Sequence, residues 1–139
     1  MTLTVHADIR AAVRTSLIAL SGIPTAFAWE GEDYQPTVGT PFLQENIRPI
    51  YSQVRALGRG GTIEHRVAAS LNLFYPARKG TLAIEAAAAA LMAGFQPGNS
   101  LVYGDTRATI LQAERAALLQ EPDWLTCPVT VTISAHTSN

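Results

Sequence analysis

The stretch Ile63-Glu-His-Arg-Val-Ala-Ala-Ser-Leu-Asn-Leu-Phe-Tyr75 decides the fold, because apolar side chains recur at every second position along it. A period of two is typical of a β-strand, in which successive side chains point to opposite faces. We therefore expect a strand with the odd-numbered residues on one face and the even-numbered residues on the other; for the similar alternation from Cys127 to Ala135 we expect one buried face and one wet face. At about 3.3 Å per residue it spans roughly 43 Å, longer than a usual strand.

The segment before this strand predicts its partner. Residues Phe42 to Leu57 are of strand type, and Pro49 requires an edge position or a bulge because proline lacks a backbone donor. The glycines of Gly58-Arg-Gly-Gly61 then favour a reversal of the chain. We expect a long β-hairpin that projects from the body of the domain.

Outside the hairpin, the sequence predicts two helices and further strands. Apolar residues at helical spacing indicate a first helix from about Val5 to Ser21, capped by Thr4, and a second helix that Thr81 caps. Between the first helix and the hairpin we expect a brief strand around Ala26 to Trp29 and a loop up to Pro41. After the second helix we expect strands at Arg107 to Ala116 and Cys127 to Ala135. The predicted fold class is α+β, with a mostly antiparallel sheet, a long β-hairpin and two helices packed on one face, in a single domain over residues 1–139.

Composition excludes several functional classes. The net charge is −1 at pH 7, which lacks the strong basic field of a nucleic-acid binder, and no apolar run is long enough to span a membrane. The first ten residues lack the pattern of a signal peptide, and a single cysteine, Cys127, fits a reducing compartment. Lys79 is the single lysine among ten basic residues; arginine suits interfaces, but a genome rich in G and C produces the same bias.

No motif recommends catalysis or a cofactor. The glycines of Gly58-Arg-Gly-Gly61 lack the lysine of a phosphate-binding loop. His6, His65, His136 and Cys127 are too scattered for a metal site, and no serine elbow or paired carboxylates indicate a nucleophile. We predict a protein that is not an enzyme, with no cofactor.

Charge is distributed unevenly along the middle of the chain. An acidic segment contains Glu30, Glu32, Asp33 and Glu45, and the next segment contains Arg48, Arg55, Arg59 and Arg66 against Glu64 alone. The two segments either pair within one molecule or pair between neighbouring subunits of a head-to-tail ring. We predict a subunit or tail-tube interface formed by Glu30, Glu32, Asp33, Arg48, Arg55, Arg59 and Arg66.

The order of these features resembles the phage tail terminator-like proteins of tailed phages and prophages. The likeness rests on the N-terminal helix, Phe27-Ala-Trp-Glu-Gly-Glu32, a Pro41-Phe-Leu43 strand and the long hairpin with its glycine turn. It continues through the helix before Gly94-Phe95 and through Trp124 followed by Pro128-Val-Thr-Val-Thr-Ile133.

The resemblance implies a structural subunit of the virion tail, assembled in the cytoplasm of the bacterial host. It implies a ring, expected to be hexameric, that caps the tail tube, ends its polymerisation and presents a surface to the head-completion protein. The partners would be other copies of the chain, the tube protein and the head-completion or connector protein, without specificity for nucleic acid or contact with a membrane. The alternative is a dimeric α+β ligand-binding or enzymatic domain with a pocket between sheet and helices.

Overall fold

The computed structural model describes residues 4–138. Met1 to Leu3, on which the signal-peptide prediction partly rests, and Asn139 lie outside the described residues. Within residues 4–138 the chain forms two helices and seven strands, in the following order: α1 (Val5–Ala19), β1 (Phe27–Ala28), β2 (Phe42–Val54), β3 (Thr62–Pro76), α2 (Leu82–Gly94), β4 (Ser100–Tyr103), β5 (Thr106–Arg115), β6 (Leu119–Gln120) and β7 (Trp124–Ser138).

The strands form one curled sheet in the order β1-β2-β3-β7-β5-β4, with β6 beside β7. The sheet is mixed, which corrects the prediction of a mostly antiparallel sheet. Strand β1 lies parallel to β2, because residues 29–41 carry the chain back to the end at which β1 began. Parallel neighbours need a crossover of about a dozen residues or more, and this loop supplies it. The other strand pairs are antiparallel.

Strands β2 and β3 pair from Phe42 opposite Phe74 to Val54 opposite Ile63. The register shifts between Pro49 and Tyr51, as expected where a proline cannot donate to the ladder. Residues 55–61, called the distal turn from here on, connect the two strands.

The core lies between the sheet and both helices. Val67, Ala69, Leu71 and Leu73 of β3 are fully buried on the one face that their alternation predicts, and they share one hydrophobic cluster with α1 and α2 residues. The α1 helix closes the curled sheet across its width: the Asp8 carboxylate accepts a hydrogen bond from Thr106 on β5, and Arg14 reaches Glu45 on β2. The helix therefore connects strands on opposite sides of the central β3–β7 pair.

Several local predictions need correction. The polar face of β7 is not uniformly wet, since Ser134 is buried there, as are Glu64 and Ala68 on the same face of β3. Ser134 donates a hydrogen bond to Glu64, so the two side chains satisfy each other away from water. Neither Thr4 nor Thr81 caps its helix through the side chain; the Thr4 hydroxyl donates to Asp8 instead. Among residues 4–138, neither helix has the length and apolar character needed to cross a membrane.

A candidate assembly surface

The acidic loop, residues 30–33, is fixed to the body of the protein at its first residue. Glu30 accepts hydrogen bonds from the backbone N–H of Ile47 at 2.9 Å and from the Arg10 guanidinium at 2.6 Å. The Ile47 bond, followed by Arg10, lowers the pKa of Glu30 below its usual value. The next carboxylate, Glu32, lies 3.7 Å from Arg14 and stays largely exposed. The partners of this loop are thus arginines of α1.

Glu45 belongs to the same acidic segment of sequence but lies in the interior. Its side chain is 0% exposed, and Arg14 reaches its two oxygens through Nε and Nη2 at distances of 2.8 to 3.1 Å. Arg10 and the backbone N–H of Glu30 also donate to it. Glu45 therefore holds α1, the acidic loop and β2 together, and it is not available to a partner.

Two arginines of the basic segment are also occupied within the subunit. The buried Glu64 carboxylate accepts hydrogen bonds from Arg55 Nε at 2.8 Å and Arg66 Nη2 at 2.7 Å, and from Ser134 Oγ at 2.8 Å. These bonds, that of Arg55 first and that of Ser134 second, lower the pKa of Glu64 to about 2. Tyr51 lies under the Arg66 guanidinium, with 5.1 Å from Cζ to the ring centroid.

The oppositely charged segments therefore do not pair with each other inside one subunit. The acidic side chains pair with α1, whereas Arg55 of the distal turn and Arg66 of β3 pair with Glu64. Of the seven predicted interface residues, Asp33, Arg48 and Arg59 are exposed and form no ion pair within residues 4–138. Sequence reasoning missed the role of Arg10 and Arg14, although their spacing of four residues places both on one helix face.

An aromatic cavity of about 480 Å³ lies beside the acidic loop and was not predicted. Phe42 and Phe74 stack with centroids 4.6 Å apart, Trp124 meets the Phe42 ring edge-on at 5.1 Å, and Tyr34 lies 5.0 Å from Phe42. Glu32 and Asn46 are among its other lining residues. The cavity is therefore at the edge of the sheet, whereas the alternative hypothesis of a ligand-binding or enzymatic domain predicts a pocket between the sheet and the helices.

The histidine and cysteine side chains that could serve in catalysis or metal binding pack against neighbouring side chains. His65 Nδ1 is 2.7 Å from Ser52 Oγ, and its Nε2 is 2.8 Å from Thr137 Oγ1. Burial raises the pKa of the Cys127 thiol, which disfavours the reactive thiolate. No group of three or more His, Cys, Asp or Glu side chains within the described part of the chain is arranged to hold a metal ion.

Comparison with known proteins identifies relatives of the chain. A family model described as phage tail terminator protein matches residues 8–132. Among solved structures, one chain shares 19% identity with a TM-score of 0.73, over 94% of each chain. A chain from the virion of a native gene transfer agent (GTA) particle shares 19% identity with a TM-score of 0.64, over 99% of this chain and 100% of that one. At such identity these likenesses describe the fold. No curated protein matches the chain.

Proposed function

The chain belongs to the phage tail terminator family, a family of structural proteins, and from that premise we propose that it forms a ring that caps the tail tube. The ring would end polymerisation of the tube and present a surface to the head-completion protein. The observation that carries this proposal is the family match over residues 8–132. A chain of the same fold in a gene transfer agent virion supports a place in the assembled particle.

We propose that the ring is built from head-to-tail contacts between identical subunits, six in number as the family resemblance implies. A head-to-tail contact joins two different surfaces of the same chain and closes into a ring when the rotation allows it. Such a contact needs complementary surfaces on one subunit. The exposed charges Asp33, Arg48 and Arg59 supply opposite signs on different parts of this chain.

The seven interface residues then divide into two groups. Glu30, Glu32, Arg55 and Arg66 have partners inside the subunit and shape its surface, although Glu32 is 61% exposed and keeps room for a second partner. Asp33, Arg48 and Arg59 carry charge that a neighbouring subunit or the tube protein can pair with. Exposed ion pairs contribute little each, so we expect them to set the register of the ring more than its affinity.

The test removes the protein from the phage or prophage that encodes it and restores it from a plasmid. Without the protein, electron microscopy should show tubes of irregular length that are not joined to heads, and the plasmid copy should restore uniform joined tails. Uniform tails joined to heads in its absence would overturn the proposal.

Charge reversal tests the proposed contact. We expect Arg59→Glu to reduce restoration and Asp33→Arg in the same chain to recover part of it, because the pair would exchange signs. Lys79→Glu is the matched control, since it also reverses one exposed charge, in the segment between β3 and α2. If Arg59→Glu and Lys79→Glu restore joined tails equally well, Arg59 does not belong to the interface.

A further inference from the structure

The aromatic cavity has the features of a preformed binding site. Its volume of about 480 Å³ lies within the range of sites that enclose small ligands or side chains. The rings that line it, Phe42, Phe74, Trp124 and Tyr34, pack against one another, so their positions are fixed before anything binds. Polar side chains, Gln44 and Asn46 among them, line the cavity beside these rings, so it suits a segment that carries both an apolar and a polar group.

The cavity has an acidic rim. Glu32 lines it and its side chain is 61% exposed, with Arg14 no closer than 3.7 Å. Asp33 is the next residue of the chain and is exposed beside this rim, although it does not line the cavity itself. A basic residue beside the apolar group of an incoming segment would therefore be favoured.

The distal turn presents this combination. Leu57 is 91% exposed, the highest value among the exposed large apolar side chains of the described residues, and Arg59 is exposed two positions later. The backbone N–H groups of Arg55 and Ala56 both donate to the Thr62 carbonyl, and the Gly61 N–H donates to the Gly58 carbonyl. The turn thus has a defined conformation that holds Leu57 away from its own subunit.

The two features cannot meet within one subunit. The cavity is lined by Phe42 and Phe74, which pair at one end of β2 and β3, whereas the distal turn follows the Val54–Ile63 pair at the other end. Twelve residue steps at about 3.3 Å separate Phe42 from Val54, a distance of about 40 Å. A turn that enters this cavity must come from another copy.

We propose that the aromatic cavity of one subunit receives Leu57 of a second copy, with Arg59 of that copy against Glu32 and Asp33. The distal turn and the aromatic cavity are different surfaces of one chain. The contact is therefore head-to-tail and repeats from copy to copy. This inference rests on the proposed ring, for which it supplies the contact between neighbours.

Cysteine pairs test the contact directly. Two variants in a Cys127→Ala background carry either Leu57→Cys or Asn46→Cys, a substitution at an exposed cavity residue. Both are produced together in cells that assemble tails, the tails are purified and oxidised, and non-reducing electrophoresis separates the products. We expect a dimer that contains one copy of each variant. A dimer joining Asn46→Cys to the tube protein, or no dimer although both thiols react with maleimide, would overturn the proposal.

A second measurement uses affinity. Leu57→Ser should weaken self-association of the purified chain in sedimentation velocity by about tenfold or more, which corresponds to about 1.4 kcal/mol. Leu82→Ser, at an 84% exposed position on α2, is the matched control and should leave association unchanged. Equal association of both variants would overturn the contact. If tails end at normal length but no cross-link forms, the proposed contact is wrong and the proposed capping role is unaffected. If the cross-link forms but tails are normal without the protein, the capping role is wrong.

Discussion

Arg14 and Glu45 form the ion pair that fixes α1 to the sheet. Glu45 lies on the face of β2 that also carries Leu43 and Ile47, and its side chain is fully buried. A carboxylate in that position is unfavourable unless its oxygens are paired, and Arg14 supplies hydrogen bonds from Nε and Nη2. The bond to Glu45 is also the main reason why the pKa of Arg14 is raised.

We expect Glu45→Ala to lower the free energy of unfolding by about 1.5 to 3 kcal/mol, because Arg14 loses its charge-assisted hydrogen bonds to Glu45 but stays partly exposed. Urea denaturation followed by circular dichroism measures the change. Glu32→Ala is the control. Because the Glu32–Arg14 pair is exposed, this variant should lose no more than about 1 kcal/mol of unfolding free energy. Similar losses in the two variants would show that the buried pair has no special role.

The pKa of Glu64 predicts a response to acid. Because its folded pKa of about 2 lies below the usual 4.5, its contribution is complete above pH 4.5 and is lost as the pH falls toward 2. We expect Glu64→Gln to reduce the slope of unfolding free energy against pH over this window. Glu121→Gln, at an exposed position, is the control. An unchanged slope in Glu64→Gln would contradict the assignment.

The pKa of His65 predicts a response at higher pH. Burial first, and then His6 and His136, lower its pKa below the usual 6.5. The folded protein therefore favours the neutral ring, so the contribution of His65 is complete above pH 6.5 and is lost as the pH falls below it. Hydrogen bonds with Ser52 and Thr137 hold the ring in this environment.

An NMR titration of the imidazole signals measures this pKa. We expect His6→Gln to raise the pKa of His65 only partway toward its usual value, because burial is the larger cause and remains. His6 lies edge-on to the His65 ring with centroids 5.6 Å apart. A pKa of His65 at or above 6.5 in the unmodified protein would contradict the prediction.

The sequence predicts β3 well because its signal is local. Alternation from Ile63 to Tyr75 depends on neighbouring residues alone, and the shared face of the odd-numbered residues, which is buried from Val67 to Leu73, follows from it. Strands β4 and β6 were not predicted, because they are short and show no clear alternation; β1 is as short as β6, but the aromatic residues Phe27 and Trp29 indicated it. The parallel course of β1 was missed because it depends on the path of a loop that has no periodicity.

The sequence predicts the charges near the candidate site but not which side chains contact one another there. The charge asymmetry drew attention to residues 30–66, but it compared two adjacent segments and left out α1, whose arginines are the partners of the acidic loop. The aromatic cavity needs the Phe42–Phe74 register and the position of Trp124, which join residues far apart in the chain. Such information appears only once the strands are paired.

The junction between the two helices supports a last prediction, which separates backbone strain from steric contact. Gly22 and Gly31 both have left-handed backbones, with φ of 88° and 86°, so alanine at either position should cost about 1 to 2 kcal/mol. A Cβ at Gly22 would lie 3.0 Å from the Cβ of Ala90 on α2, whereas one at Gly31 would meet nothing within 4 Å. We expect Gly22→Ala to destabilise the protein more than Gly31→Ala in thermal unfolding. Introducing Ala90→Gly into both variants should reduce this difference, because it removes the contact at Gly22 while the helix cost of glycine at position 90 is the same in the two. If the two single variants lose equal stability, the α1–α2 junction has room for a methyl group and is looser than the structure shows.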